Sequence, residues 1–124
     1  MEKKNSKKSQ IIIIEDDKSI QKTLFLILKN EYNVDLFSTG EEALKKIKNG
    51  SIALIITDFK LPGMNGLEVI EIFRKYGYKG KTILISAYPD LLDSKVIEKL
   101  GVDFLFIKPL DLNKLTTAIK FLLL

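Results

Sequence analysis

Residues 52–66 read I-A-L-I-I-T-D-F-K-L-P-G-M-N-G, and this stretch decides the fold. From Ile52 to Thr57 the chain is almost continuously apolar and rich in β-branched side chains. Such a run predicts a strand buried on both faces, as in a parallel sheet, rather than one face wetted by solvent. Asp58 then puts a carboxylate at the strand's carboxyl end. After the turn residues, Gly66 leads into a segment whose Leu67, Val69, Ile70 and Phe73 share one helical face.

The same unit recurs outward in both directions. Ile11–Ile14, Val34–Phe37, Thr82–Ser86 and Val102–Ile107 are further short apolar runs of strand type. Between and after them lie amphipathic stretches: Ile20, Leu24, Ile27 and Leu28; Ala43, Leu44 and Ile47; Leu92, Val96 and Leu100; Leu112, Leu115, Ile119 and Leu122. Gly40 precedes a helix, Gly50 and Gly101 follow helices, and Asp90 and Asp111 stand where N-caps belong. The pattern is (βα)5. Its short connections require right-handed crossovers and a parallel sheet covered on both faces. The expected architecture is a doubly wound five-stranded sheet in the flavodoxin-like order 2-1-3-4-5. Ligands bind such sheets outside the carboxyl ends of the strands, so the residues that end the strands are the ones to examine.

Bulk properties set the limits. A chain of 124 residues suits one domain with one core. It has neither Cys nor His, which removes disulfides, thiolate or imidazole metal sites, and a His phosphoacceptor. Its apolar runs are too short to span a bilayer, and its polar start lacks a signal-type core, so a cytoplasmic location is expected. Lys3, Lys4, Lys7 and Lys8 against Glu2 put +3 of the net +4 in the first ten residues, leaving +1 for residues 11–124. Residues 1–10 therefore read as a flexible lysine-rich tail and 11–124 as the domain, with no direct nucleic-acid binding expected.

Glu15, Asp16 and Asp17 follow the first strand. Asp17 suits a helix N-cap, whereas one or both of Glu15 and Asp16 must stand at the rim of the functional edge. In the doubly wound order the first and third strands are neighbours, which brings Asp58 towards this acid pair. Clustered carboxylates without His or Cys prefer a hard, oxygen-seeking cation, and Mg2+ fits. The fourth strand ends in Ser86 and the fifth leads to Lys108, a hydroxyl and a point charge suited to phosphoryl oxygens; in the resting site Lys108 can pair with Asp58. Two metal-site acids, a carboxylate nucleophile, a hydroxyl and a lysine can together stabilise a transferring phosphoryl group, with an acyl phosphate formed on the nucleophile.

On these residues the sequence resembles the bacterial two-component response-regulator receiver domain: I-I-I-I-E-D-D, T-D-F-K-L-P-G-M-N-G-L-E, I-L-I-S-A and G-V-D-F-L-F-I-K-P all match its pattern, covering nearly everything after residue 10. The resemblance implies that Asp58 is the phosphoacceptor, charged from a histidine kinase and able to catalyse its own phosphorylation and dephosphorylation. It implies that Asp16 ligates Mg2+ directly, that Glu15 acts on the metal through water, and that the Lys60 carbonyl completes the protein ligands. Ser86 resembles the switch hydroxyl and Lys108 the family's lysine, its bond to Pro109 expected cis. The short chain, ending in I-K-F-L-L-L without a linker, resembles stand-alone receivers of chemotaxis or sporulation-phosphorelay type. The partners then implied are a histidine kinase and a histidine phosphotransfer protein or output protein.

Two departures stand out. Most receivers carry Tyr or Phe where this chain has Leu105; Phe104 and Phe106 are adjacent, but side chains alternate along a strand, so neither substitutes for it. Glu15 replaces the commoner Asp. Lys60 and Tyr88, two residues beyond Asp58 and Ser86, are bulky, and in the family these positions border the path of attacking water. Competing readings fare worse. An Mg2+-dependent phosphatase of related topology wants an acid where Lys60 stands, and flavin or dinucleotide binding wants glycines where the first loop is acidic. A phosphorylation-independent adaptor or a fragment of a larger regulator would share the fold.

Overall fold

Four consecutive isoleucines, Ile11 to Ile14, are all buried because they divide between two cores. In the computed structural model, which describes residues 8–46 and 51–124, they belong to strand β1 (Gln10–Ile14). The chain continues through α1 (Lys18–Leu28), β2 (Asn33–Phe37), α2 (Gly40–Lys46), β3 (Ile52–Asp58), α3 (Gly66–Lys75), β4 (Lys81–Ser86), a 3-10 turn (Pro89–Leu91), α4 (Ser94–Lys99), β5 (Phe104–Ile107) and α5 (Leu112–Leu122). All strand pairs are parallel and the order is β2-β1-β3-β4-β5, as expected. Ile47, Gly50 and Met1–Lys7, on which part of the helix and tail expectations rest, lie outside the described residues.

Alternation along the strands builds both layers. Ile11 and Ile13 meet Leu54, Ile56, Ile83 and Ile85 under Leu24 and Leu28 of α1 and Leu115 and Ile119 of α5. Ile12, Ile14 and Ile55 face Ala43 of α2 and Val69 and Phe73 of α3. A smaller cluster joins Leu84 to Leu67 and Ile70, with Leu92, Ile97 and Leu100 packed against it. Each fully buried Ile or Leu contributes about 2 kcal/mol by leaving water.

The helix starts are chemically specified. Asp17, Asp93 and Asp111 accept from the Ile20, Lys95 and Lys114 N–H groups, and Asn65 with Glu68 forms a reciprocal capping box. The α4 expectation needs correction. Asp93, not Asp90, is its N-cap; Pro89 starts a 3-10 turn that contains Asp90. Helix α4 has no buried residue, and Val96 is exposed; packing in this region is carried by Leu92 and Leu100, just outside the helix, and by Ile97. Strand β5 also begins later than its apolar run suggests. Asp103 holds the Thr82 N–H with its side chain at 2.9 Å, while its own N–H donates to the Thr82 carbonyl.

At the amino edge of the sheet, Arg74 at the end of α3 donates to the carbonyls of Leu100, Tyr78, Gly80 and Gly101, at 2.9 to 3.2 Å. One guanidinium thus joins the α3–β4 and α4–β5 connections. No helix among the described residues is long and apolar enough to cross a membrane.

Candidate functional site: an acidic pocket at the carboxyl edge

Register brings the strand ends together. Ile14 pairs with Thr57, so Glu15 and Asp58 stand level; Asp58 pairs with Ile85, one residue short of Ser86; and Ser86 pairs with Ile107, one short of Lys108. Backbone bonds continue past the strands: Glu15 N–H to the Phe37 carbonyl at 2.9 Å, Phe59 N–H to Ile85 at 2.7 Å, and Lys108 N–H to Ser86 at 2.9 Å. The functional side chains therefore project from backbone that is still hydrogen-bonded to its neighbours.

One carboxylate oxygen from each of Glu15, Asp16 and Asp58 lies within 4.8 Å of the others. Glu15 and Asp58 are buried, at 2% and 5% exposure, and Asp16 is exposed. Lys108 sits between the two buried acids, its Nζ 3.0 Å from Asp58 Oδ2 and 3.1 Å from Glu15 Oε1. The Asp58 contact is a hydrogen bond; the Glu15 contact is an ion pair off the hydrogen-bonding direction, and Glu15 Oε1 has no other partner among the described residues. Glu15 Oε2 accepts from the Asp17 N–H at 3.0 Å.

Burial pushes the Glu15 carboxyl above the usual carboxylate range; the Asp58 charge adds to this, while the Asp17 N–H and Lys108 offset part of it. Burial opposes the Lys108 charge, but the bond to Asp58 and the two carboxylates outweigh it, and its pKa moves up. The lysine therefore stays charged.

The remaining residues fall around this centre. Ser86 is buried and its Oγ accepts from the Tyr88 N–H at 2.9 Å. Lys60 and Tyr88 stand at the mouth, the ammonium 5.4 Å from the ring centroid in a cation–π contact. The Lys108–Pro109 bond is cis, as expected. Phe104 and Phe106 pack against the α1/α5 core, whereas Leu105 and Ile107 are exposed, so neither Phe takes the place of the missing aromatic. Gln21 escaped sequence reading. It is buried on α1, and its amide donates to the Glu15 carbonyl, to the Phe37 carbonyl and to Ser38 Oγ, tying the acidic loop to the end of β2. The only signal was its spacing, Gln21–Leu24–Leu28 along the buried face.

An all-oxygen donor set without nitrogen or sulfur fits a hard divalent cation such as Mg2+. Comparison with known proteins agrees with this chemistry. The response regulator receiver domain pattern matches residues 11–120. The chain belongs to that family. It is similar to response regulator ArlR of Staphylococcus aureus, 34% identical over 116 residues, which covers 93% of this chain and 52% of ArlR. The receiver thus spans about half the length of that relative. Among solved structures it is similar to a CheY-like receiver domain protein from Methanospirillum hungatei JF-1 (TM-score 0.84, 33% identity, 92% of each chain). It is also similar to response regulator TrrA from Thermotoga maritima, solved in complex with Mg2+-BeF (TM-score 0.80, 32% identity, 92% of this chain and 98% of that one). Receivers of this family work in two-component signal transduction.

Proposed function

We propose that this receiver takes a phosphoryl group from the phosphohistidine of a kinase onto Asp58 and then passes the signal on. The observation that carries the reading is Lys108 held between Asp58 and Glu15 beside a second, exposed acid, Asp16. A carboxylate oxygen of Asp58 forms the new P–O bond as the P–N bond to the kinase imidazole breaks, and the imidazole leaves with the bonding pair. Lys108 moves its donor from the carboxylate to a phosphoryl oxygen. Ser86 gives up the Tyr88 N–H and turns its hydroxyl to another. Asp16, Asp58 and the Lys60 carbonyl are the ligands we assign to Mg2+, with Glu15 reached through water; the bound ion supplies charge neutralisation of the phosphoryl oxygens. Phosphotransfer profiling against purified phospho-kinases tests the reading. Label should move to this chain with Mg2+ present and stay on the kinase in EDTA; no transfer from any kinase or from acetyl phosphate would overturn it.

The division of labour among the acids has its own test. Asp16 is exposed and accepts no hydrogen bond from the described residues, whereas Glu15 is already engaged at both oxygens. Asp16→Asn is expected to weaken Mg2+ binding by about 100-fold and Glu15→Gln by about tenfold or less. A titration that ranks them the other way would reverse the assignment.

Within this reading a phosphorelay carrier is favoured over an output regulator. Leu105 supplies no aromatic reporter, and the Lys60–Tyr88 contact crowds the approach of water. Lys60→Ala or Tyr88→Ala should speed decay of the phosphorylated form about threefold, by admitting water, with Mg2+ affinity nearly unchanged. Unchanged lifetimes in both variants would remove the shielding role and, with it, the case for a carrier.

A further inference from the structure

We infer that the cavity at the free edge of β2 binds a small phosphate monoester, at a site separate from the acidic pocket. Strand β2 ends the sheet and pairs only with β1, so this cavity and Asp58 lie on opposite flanks of β1. Its volume is about 510 Å3, within the range of roughly 300–1,000 Å3 usual for small-molecule sites. Lys18 and Gln21 line it from α1, Ser38 from the end of β2, and Glu42, Lys45 and Lys46 from α2.

The lining is rich in positive charge and in donors. Three lysines stand against the single carboxylate of Glu42, a local balance of +2, and Glu42 already accepts the Ser38 N–H at 3.1 Å. The ion pairs among the described residues belong to Lys108, so no acid there neutralises these three lysines. Ser38 Oγ accepts from Lys18 Nζ at 2.9 Å and from Gln21 Nε2 at 3.3 Å. That fills both lone pairs, and the hydroxyl proton is left with no acceptor among the described residues. Gln21 adds a buried group of the opposite kind. It is 6% exposed, its Nε2 holds the Glu15 and Phe37 carbonyls, and its Oε1 accepts no hydrogen bond from the described residues. Glu15 Oε1 is the one fully enclosed side-chain atom there without a hydrogen bond, so Gln21 Oε1 is reachable from the cavity that its residue lines.

A phosphate monoester answers each of these features. Near neutral pH it carries about −1.5 to −2 in charge and presents three strong acceptor oxygens. The charge matches the surplus of the lysines, and the oxygens match the ammonium and Ser38 donors; a monocarboxylate brings one charge and two oxygens. A hydroxyl on the body of the ester supplies the donor that Gln21 Oε1 lacks. Leu36 and Phe37, both half-buried, give that body an apolar wall. Sugar phosphates and nucleoside monophosphates share this chemistry.

The test is an NMR titration of the full chain without metal, using glucose 6-phosphate and adenosine monophosphate beside inorganic phosphate, succinate and glucose. At least one ester should bind about tenfold more tightly than the three controls and shift the Ser38 N–H and the Gln21 side-chain amide. The tighter ester assigns the body of the ligand. The double variant Lys45→Gln with Lys46→Gln should weaken binding about tenfold, and Ser38→Ala about threefold. Both lysines are exposed, so the fold should not depend on them, and the double variant should take phosphate from acetyl phosphate and Mg2+ at the parental rate. Succinate or inorganic phosphate binding as tightly as the esters overturns the inference, as does affinity unchanged in the double variant. Shifts confined to Ser86 and Lys108, or no saturation by about 10 mM ester, overturn it as well.

Discussion

Asp58→Asn should reduce phosphate incorporation from one phosphoryl group per chain to none that survives isolation. The carboxamide is close to isosteric, so the fold should tolerate it, but the nucleophile is gone: an amide oxygen does not form a stable acyl phosphate. The substitution also removes one of three clustered negative charges and exchanges a charged partner of Lys108 for a neutral one. Both effects weaken the site's hold on a cation and on an incoming phosphoryl group. A fall of at least about 1,000-fold in the labelling rate is expected, because nucleophile and metal acid are lost together. Intact-mass measurement after incubation with acetyl phosphate and Mg2+ reads the result. Labelling of Asp58→Asn at full stoichiometry would place the phosphoacceptor elsewhere and leave the acidic pocket without its central role.

Among the described glycines, Gly66→Ala should be the most damaging substitution. A Cβ at residue 66 would overlap the Asp58 carbonyl oxygen and lie 3.0 Å from the carbonyl carbon, with Leu84 Cδ1 at 3.1 Å. Two of those three atoms are backbone, and the Gly66 N–H is tied to the Phe59 carbonyl at 2.7 Å, so neither side can yield cheaply. Helix α3 would have to lift away from β3, opening the packing of Leu67 and Ile70 on Leu84. A loss of about 3 kcal/mol is expected, the upper part of the overpacking range, and a fall in Tm of about 10 °C. Phosphorylation should slow as well, because the displaced atoms belong to Asp58. A thermal melt within 3 °C of the parent, roughly 1 kcal/mol for a domain of this size, would show that α3 does not depend on this close approach.

The layout of the sheet was legible because burial on both faces leaves no polar alternation to confuse the strand signal. Ile11–Ile14 and Ile52–Thr57 could be read as inner strands from composition alone, and strand order then dictated which carboxyl ends meet. The placement of Asp58 and Lys108 at the rim was legible for the same reason: a charge at the end of a buried strand has to stand at the edge of the sheet. The region of α4 was less legible. Leu92, Val96 and Leu100 have helical spacing, yet the helix lies between Leu92 and Leu100 and leaves Val96 exposed, because spacing records which residues could share a face and not where the backbone starts to coil. Asp93 and Asp90 are equally good N-caps in sequence; Pro89 settles the choice by starting a tighter turn first. The Glu15–Lys108 ion pair and the Gln21 bonds were beyond reach, since they depend on side chains meeting across 93 and 16 or more positions respectively or on a loop path that no local pattern encodes.

The four carbonyls gathered by Arg74 make the two rims of the sheet mechanically unequal. At the amino edge the Leu100 and Gly101 carbonyls are pinned to α3; at the carboxyl edge the strand ends carry the ion-paired side chains of the pocket. Helix α4, Ser94–Lys99, is held by packing at both ends, through Leu92 and Leu100, and by the Arg74 hydrogen bonds at the Leu100 end. Six residues at a rise of 1.5 Å span about 9 Å, so a tilt of about 10° carries the Ser94 end through roughly 1.5 Å while Leu100 hardly moves. In such a tilt displacement would be graded, largest beside the loop that follows Ser86 and smallest at the Leu100 end. A surface patch near Asp93 and Ser94 would feel such a tilt in full, and one near Lys99 would scarcely register it.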